Sequence, residues 1–242
     1  RLCLVGSEMC IRDSLIIEVS ETRRKFIDGI ISQTDKEYLN NLIDYNKTLK
    51  QRNALLKMFY DNSENVRKTI DIYDRQLSSD AQKIYDKRRE FLNEFIPIFK
   101  SRYKELSNDK ENVEIKHSSD ISPDQNLYKL LKNSLEKDLR FQYTTKGIHK
   151  DDLNLNLDNF PIKKYGSQGQ QKTFLIAMKL AQFDYLSKLD SKPILLLDDI
   201  FDKLDDARVK QIINLVNQEK FNQIFISDTN KTRSENIIKK VN

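Results

Sequence analysis

Two short stretches of this 242-residue chain hold residue types and spacings that chemistry can use. The first runs Ile194-Leu195-Leu196-Leu197-Asp198-Asp199-Ile200-Phe201-Asp202-Lys203-Leu204-Asp205, an aliphatic strand that ends in adjacent carboxylates. Successive side chains of a strand point to opposite faces, so Asp198 and Asp199 cannot do the same job. One suits a hard cation such as Mg²⁺, and the other suits a water molecule. Parallel sheets bind ligands at the carboxyl ends of their strands, which is where the pair stands. Helix capping is the rival account. It is strong for Asp205, since Leu204 and Val209 sit where a hydrophobic staple around an Asp205 N-cap would put them. It is weaker for Asp198 and Asp199, because a buried strand seldom ends in two charges without a counter-ion.

The second stretch is Gly166-Ser167-Gln168-Gly169-Gln170-Gln171, just ahead of a run with Phe174, Ala177, Met178, Ala181 and Tyr185 on one side. Ser167 and Gln170 have capping-box spacing, which starts a helix and satisfies two amides. Capping does not account for two glycines and three glutamines around it. Small and uncharged residues leave the helix N-terminus open to an anion such as a phosphate.

Elements must position these stretches. Leu39, Leu42, Leu49 and Leu56 recur at steps suited to a helical seam, interrupted by Asn46 and Asn53. Val66, Ile70, Tyr73, Leu77, Ala81, Ile84, Phe91 and Phe95 continue the pattern to Pro97, where a helix ends or bends. A short polar stretch around Asn62 and Ser63 joins the two, which predicts an antiparallel helical hairpin. Beyond about Lys104 the runs shorten and alternate: Val113 and Ile115, then Leu153, Leu155 and Leu157, read as half-buried strands. A helix over about 126–139 separates them. A helix after Ser167, the strand Ile194 to Leu197 buried on both faces, another helix and the strand Gln223 to Ser227 complete an alternation that predicts a parallel α/β sheet.

Composition bounds the functions. No apolar run approaches the roughly 20 residues a bilayer requires. Cys3 and Cys10 both lie near the start, and His117 and His149 are the only histidines, which leaves no disulfide framework and no zinc centre to build. The net charge is +5, but the excess is spread out, nineteen Lys and Arg facing sixteen Asp and Glu between Leu15 and Lys110. Such a balance permits nucleic-acid binding without demanding it. Residues 1–14 begin without Met, and VGSEMCIRDS reads as translated adapter sequence, so they are expected to be non-native. The expected division is 15–105 for the helical lobe and 106–242 for the α/β part.

Taken together, the two stretches resemble the ABC-type ATPase family, in which a signature motif opens one helix and a Walker B strand with its D-loop follows. SQGQQ at Ser167, LLLDDIFDKLD at Leu195, GIHKDDL at Gly147 and KQRNALLK at Lys50 are similar to the RecF family within it. The resemblance implies the C-terminal part of an ABC-type ATPase domain with an inserted helical lobe, working as an ATP-dependent homodimer. It implies that Asp198 holds Mg²⁺ and that Asp199 polarises the attacking water. Ser167, Gly169 and Gln170 would contact the γ-phosphate bound to the other subunit, with Asp202 and Asp205 lying across the dimer interface. Asp199 stands where many relatives have Glu, and Ser227-Asp228-Thr229 follows the last strand, where a γ-phosphate-sensing residue is placed.

No GxxxxGK[ST] occurs, so nothing in the chain cradles the α and β phosphates of ATP, and the chain alone is not expected to hydrolyse it. The implied function is cytoplasmic DNA replication and recombinational repair at single-strand gaps and junctions, in company with recombination mediator proteins. Candidate DNA contacts are Arg23, Arg24 and Lys25, then Lys50, Arg52 and Lys57, and Lys87, Arg88 and Arg89, each of which is as readily a solvated helix face. Two rivals are an SMC-like repair ATPase, which would carry far longer arms, and a non-enzymatic protein-interaction module.

Overall fold

The computed structural model describes residues 2–5, 14–58, 64–122, 126–188, 192–198, 204–216 and 223–227. In chain order the elements are β1 (Leu2–Val5), α1 (Ser14–Ile17), α2 (Ser20–Thr34), α3 (Lys36–Lys57), α4 (Glu64–Ser107), β2 (Val113–Ser118) and α5 (Leu127–Phe141). A 3-10 turn at Ile148–Lys150 leads into β3 (Asp152–Leu157), β4 (Phe160–Pro161), α6 (Ile162–Tyr165), α7 (Gln168–Ser187), β5 (Lys192–Asp198), α8 (Asp206–Val216) and β6 (Ile224–Ser227). Two compact units form. One comprises residues 1–22, 93–116 and 154–242, and the other residues 23–92 and 117–153. The second unit therefore takes in residues 117–153, which a division at 105/106 assigns to the α/β part. Among the described residues no helix is long and apolar enough to cross a membrane.

The helical unit is built on α3 and α4. Asp35 starts α3 by accepting from the Tyr38 amide at 2.8 Å. Arg52 of α3 meets Asp74 of α4 and Tyr38 meets Arg88, so the two helices run antiparallel, as the hairpin reading expects. The connection near Asn62 and Ser63 lies outside the described residues. The seam differs from the leucine one. Leu39 is 37% exposed, and the buried side of α3 is Tyr38, Tyr45, Thr48, Arg52 and Leu56. Tyr38, Tyr45 and Arg52 stand seven residues apart, are themselves buried, and each finds a polar side-chain partner, which a search for aliphatic periodicity does not register. Pro97 does not end the second helix, since α4 continues to Ser107 around it.

The GIHKDDL segment fastens this unit. Gly147 has φ 129°, and a Cβ there would lie 2.6 Å from the Tyr45 hydroxyl oxygen, so only glycine fits without strain. His149 Nε2 lies 3.0 Å from the Thr144 carbonyl and therefore carries the proton, leaving Nδ1 to accept from the Tyr45 hydroxyl at 2.8 Å. Asp151 takes the Arg88 guanidinium at 2.8 Å, and Arg88 also donates to the Ile148 carbonyl.

In the other unit β5 is the middle strand of a parallel sheet ordered β1-β5-β6. Leu195 and Leu197 are buried while Ile194 and Leu196 keep partial exposure, so the strand is less completely covered than its aliphatic run suggests. Helix α7 is buried nearly all round, from Lys172 through Ala181 to Leu186, rather than along one stripe. The last turns of α4 pack on it, with the Phe99 and Phe174 rings 4.7 Å apart and Arg102 bidentate on Asp184 at 2.6 and 2.8 Å. The second sheet has the order β2-β3-β4, and Asp158 and Asn159, at φ 45° and 71°, make the tight turn that joins the antiparallel pair β3 and β4.

Candidate functional site

The site is assembled from the first turn of α7 outward. Ser167 is the N-cap, its Oγ accepting from the Gln170 amide at 3.2 Å while Gln170 Oε1 accepts from the Ser167 amide at 2.8 Å. Ser167 and Gln168 are exposed, and Gly169 and Gln170 half-buried, so the positive end of a 20-residue helix opens onto solvent. Thr173 Oγ1 donates to the Gly169 carbonyl at 2.7 Å, drawing the glycine backbone onto the helix.

This cap is tied to the start of α8. Asp205 caps α8 by accepting from the Arg208 amide at 2.8 Å, and Leu204 and Val209 are both buried, as a staple requires. Arg208 then reaches back, with Nη1 2.6 Å from Thr173 Oγ1 and Nη2 2.7 Å from Glu111 Oε1. Glu111 is the hub. Its Oε1 also accepts from Gln170 Nε2 at 3.0 Å, and its Oε2 from the Tyr103 hydroxyl at 2.5 Å. Burial disfavours the Glu111 carboxylate, but the hydrogen bonds from Tyr103 and Gln170 and the Arg208 charge outweigh it and hold its pKa below the ordinary glutamate value. Tyr103 is pushed well up by burial and by this carboxylate. Glu111 and Arg208 carry no signal in the sequence, because they meet across 97 positions.

The carboxylates come from β5. Its C-terminal residue Asp198 pairs in register with Ser227 of β6, at the carboxyl end of the parallel sheet. Asp199, Asp202, Asp228 and Thr229 lie outside the described residues. Carboxylate oxygens at a strand end are the hard donors that Mg²⁺ takes, so the residue types fit that ion.

The basic candidates fall in the helical unit and differ sharply in access. Arg23 is bidentate on Asp152 at 2.6 and 3.0 Å, and Arg24 donates to the Asp151 carbonyl at 2.6 Å. Lys25, Lys50 and Lys57 are exposed. Arg52 has no exposure. It bonds Asp74 at 2.6 Å, Asp138 at 2.8 Å and Thr144 at 2.8 Å, so its charge is neutralised inside the unit. Arg88 is likewise inside, between Asp28 and Asp151, while Lys87 and Arg89 stay at the surface.

No family model matches the chain. It is similar to the DNA replication and repair protein RecF of Flavobacterium johnsoniae, 52% identical over 226 residues that make up 93% of this chain and 63% of that protein. The protein of the same name from Phocaeicola vulgatus is 48% identical over 229 residues, covering 94% of this chain and 61% of the relative. The chain thus spans about three fifths of the curated relatives it matches, between 61% and 63% of their length. Among solved structures it is similar to the recombination mediator protein RecF with ATP in the RecFOR pathway, at a TM-score of 0.78 and 30% identity, over 90% of this chain and 60% of that one. About half its residues are identical to such proteins along nearly its whole length, and its backbone follows the same path, so the chain is similar to RecF proteins over about three fifths of their length.

Proposed function

We propose that this chain contributes two parts of a composite ATPase site in a DNA replication and repair protein. One part is the signature turn at Ser167, Gly169 and Gln170, which meets the γ-phosphate of ATP held by a second copy. The other is the carboxylate pair, with Asp198 on Mg²⁺ and Asp199 orienting the attacking water, while Asp202 and Asp205 lie along the boundary between copies. Phosphoryl transfer needs little covalent chemistry from the protein, so positioning and charge carry it. A glycine-rich loop must still hold the α and β phosphates, and this chain has none. Closure of two copies around ATP would then regulate engagement of single-stranded and gapped duplex DNA and of recombination mediator proteins in the cytoplasm. Lys25 and Lys57, both exposed, would meet phosphates, whereas Arg23, Arg24 and Arg52 are engaged by Asp152, by the Asp151 carbonyl and by Asp74 with Asp138.

The observation that carries this reading is the capping box of α7, held to α8 through Glu111 and Arg208, with Ser167 and Gln168 exposed at the start of the helix. The exposed aromatic pair Phe160 and Tyr165, 5.3 Å apart and immediately ahead of Ser167, offers apolar surface for a second copy to cover. With this chain joined to a phosphate-binding loop, Asp199→Asn is expected to keep ATP binding and ATP-dependent dimerisation and to slow hydrolysis by about a hundredfold. Turnover equal to that of the unsubstituted protein would overturn the assignment.

A further inference from the structure

The end of α5 presents an arrangement that packing does not explain. Phe141 is 47% exposed and Tyr143 44%, yet their ring centroids are 5.8 Å apart. Cations surround them: Lys150 Nζ stands 5.0 Å from the Tyr143 centroid, and Lys137 and Arg140 each stand 6.0 Å from that of Phe141. All three cations are exposed, and none of them makes an ion pair among the described residues. Single exposed aromatics are ordinary, but a touching pair ringed by uncompensated positive charge is not.

The loop that carries the pair is pinned from below. Gln142 ends α5 in the left-handed conformation at φ 60°. Thr144 is held by Asn53 through its amide at 2.8 Å and its hydroxyl at 2.7 Å, and Arg52 donates to that hydroxyl. Thr145 is held by Asp138, amide at 2.9 Å and hydroxyl at 2.6 Å. Arg52 joins the two anchors by binding Asp138 as well. The backbone that carries the rings is therefore held before any ligand arrives, which lowers the ordering cost of binding.

We propose that Phe141 and Tyr143, with Lys137, Arg140 and Lys150, form a platform for single-stranded DNA. Unpaired bases stack on the two rings and the phosphodiester chain runs past the three cations. A single strand supplies flat rings and anions in alternation, matching the chemistry of the surface. A duplex keeps its bases stacked inside and can use only the cations. Arg52 acts as a positioning residue here, buried beneath the loop and never touching the strand.

The inference rests on the reading that the chain handles DNA, and its test needs no ATP. The chain contains no Trp, so Phe141→Trp introduces a single reporter at the platform. Titration of this variant with oligodeoxythymidylate is expected to quench its fluorescence saturably, because stacking on a base quenches indole. Phe141→Ala and Tyr143→Ala, checked for unchanged circular dichroism, are expected to weaken oligodeoxythymidylate binding by about tenfold each and to leave duplex binding within about twofold. Quenching by polyglutamate as strong as by DNA would overturn the proposal in favour of an acidic protein partner. Oligonucleotide binding that is indifferent to both rings would overturn it while leaving DNA binding elsewhere on the chain. No binding of either DNA would overturn it together with the DNA part of the proposed function, and would leave the Asp199 experiment untouched.

Discussion

Single residues decide whether this chain's polar interior helps or harms it. Burial, the largest influence on His149, lowers its pKa to about 4 against an ordinary 6.5, and the Thr144 carbonyl only partly opposes this. Between those values an unfolded chain takes up a proton that the folded one refuses. The stability supplied by the neutral ring is thus complete above pH 6.5 and is lost as the pH falls toward 4, by up to about 3 kcal/mol. Urea titrations near neutrality and near pH 4.5 should show the unsubstituted chain losing more unfolding free energy than His149→Gln. Equal losses would mean that the ring does not titrate in this way. This imidazole was visible in the sequence only as part of a motif, while its partners Tyr45 and Thr144 are distant or unremarkable there. The cap at Ser167 and Gln170 was legible because it is local, donor and acceptor lying three positions apart. Glu111 and Arg208 were not, because charged residues are the commonest surface types and only the fold brings these two together.

At the scale of elements, the two long helices were readable from periodicity but their contact faces were not. Aliphatic spacing pointed to the leucines, whereas α3 turns Tyr38, Tyr45 and Arg52 inward, and Arg52 then joins α3 to α4 at Asp74 and to α5 at Asp138. A buried cation with two carboxylates holds three elements in one arrangement, though at a high desolvation cost. That cost is visible in Asp74, whose pKa burial raises despite the neighbouring guanidinium. Removing only the cation strands both carboxylates. Arg52→Met should therefore destabilise the chain by about 3–5 kcal/mol in urea unfolding at neutral pH, and adding Asp138→Asn should recover part of the loss. A loss below about 1 kcal/mol would show the network to be dispensable, as a surface pair is. Pro97 was legible as a helix breaker in isolation. Within a 44-residue helix, its missing amide affects one turn, and packing of Phe95, Phe99 and Tyr103 on either side offsets the cost.

For the whole molecule, the proposed chemistry needs two copies, and this leads to a test that no single-chain mechanism passes. In a symmetric dimer each site takes carboxylates from one copy and the signature turn from the other. With the chain joined to a phosphate-binding loop, Ser167→Arg should block the signature side by putting bulk and positive charge at an exposed helix start that must approach a phosphate. Asp199→Asn should disable the carboxylate side. Dimers of either variant then hold no intact site. A mixed dimer holds one, built from the unaltered carboxylates of the first variant and the unaltered signature of the second. Random pairing at equal amounts makes about half the dimers mixed, so about a quarter of the unsubstituted turnover should return on mixing two inactive proteins. ATPase rates of the two variants apart and together measure this directly. Recovery of activity requires the signature to act in trans, since no copy in the mixture carries both halves. A mixture as inactive as its components would place Ser167 and Asp199 in the same site, and the exposed cap of α7 would then need another ligand to explain it.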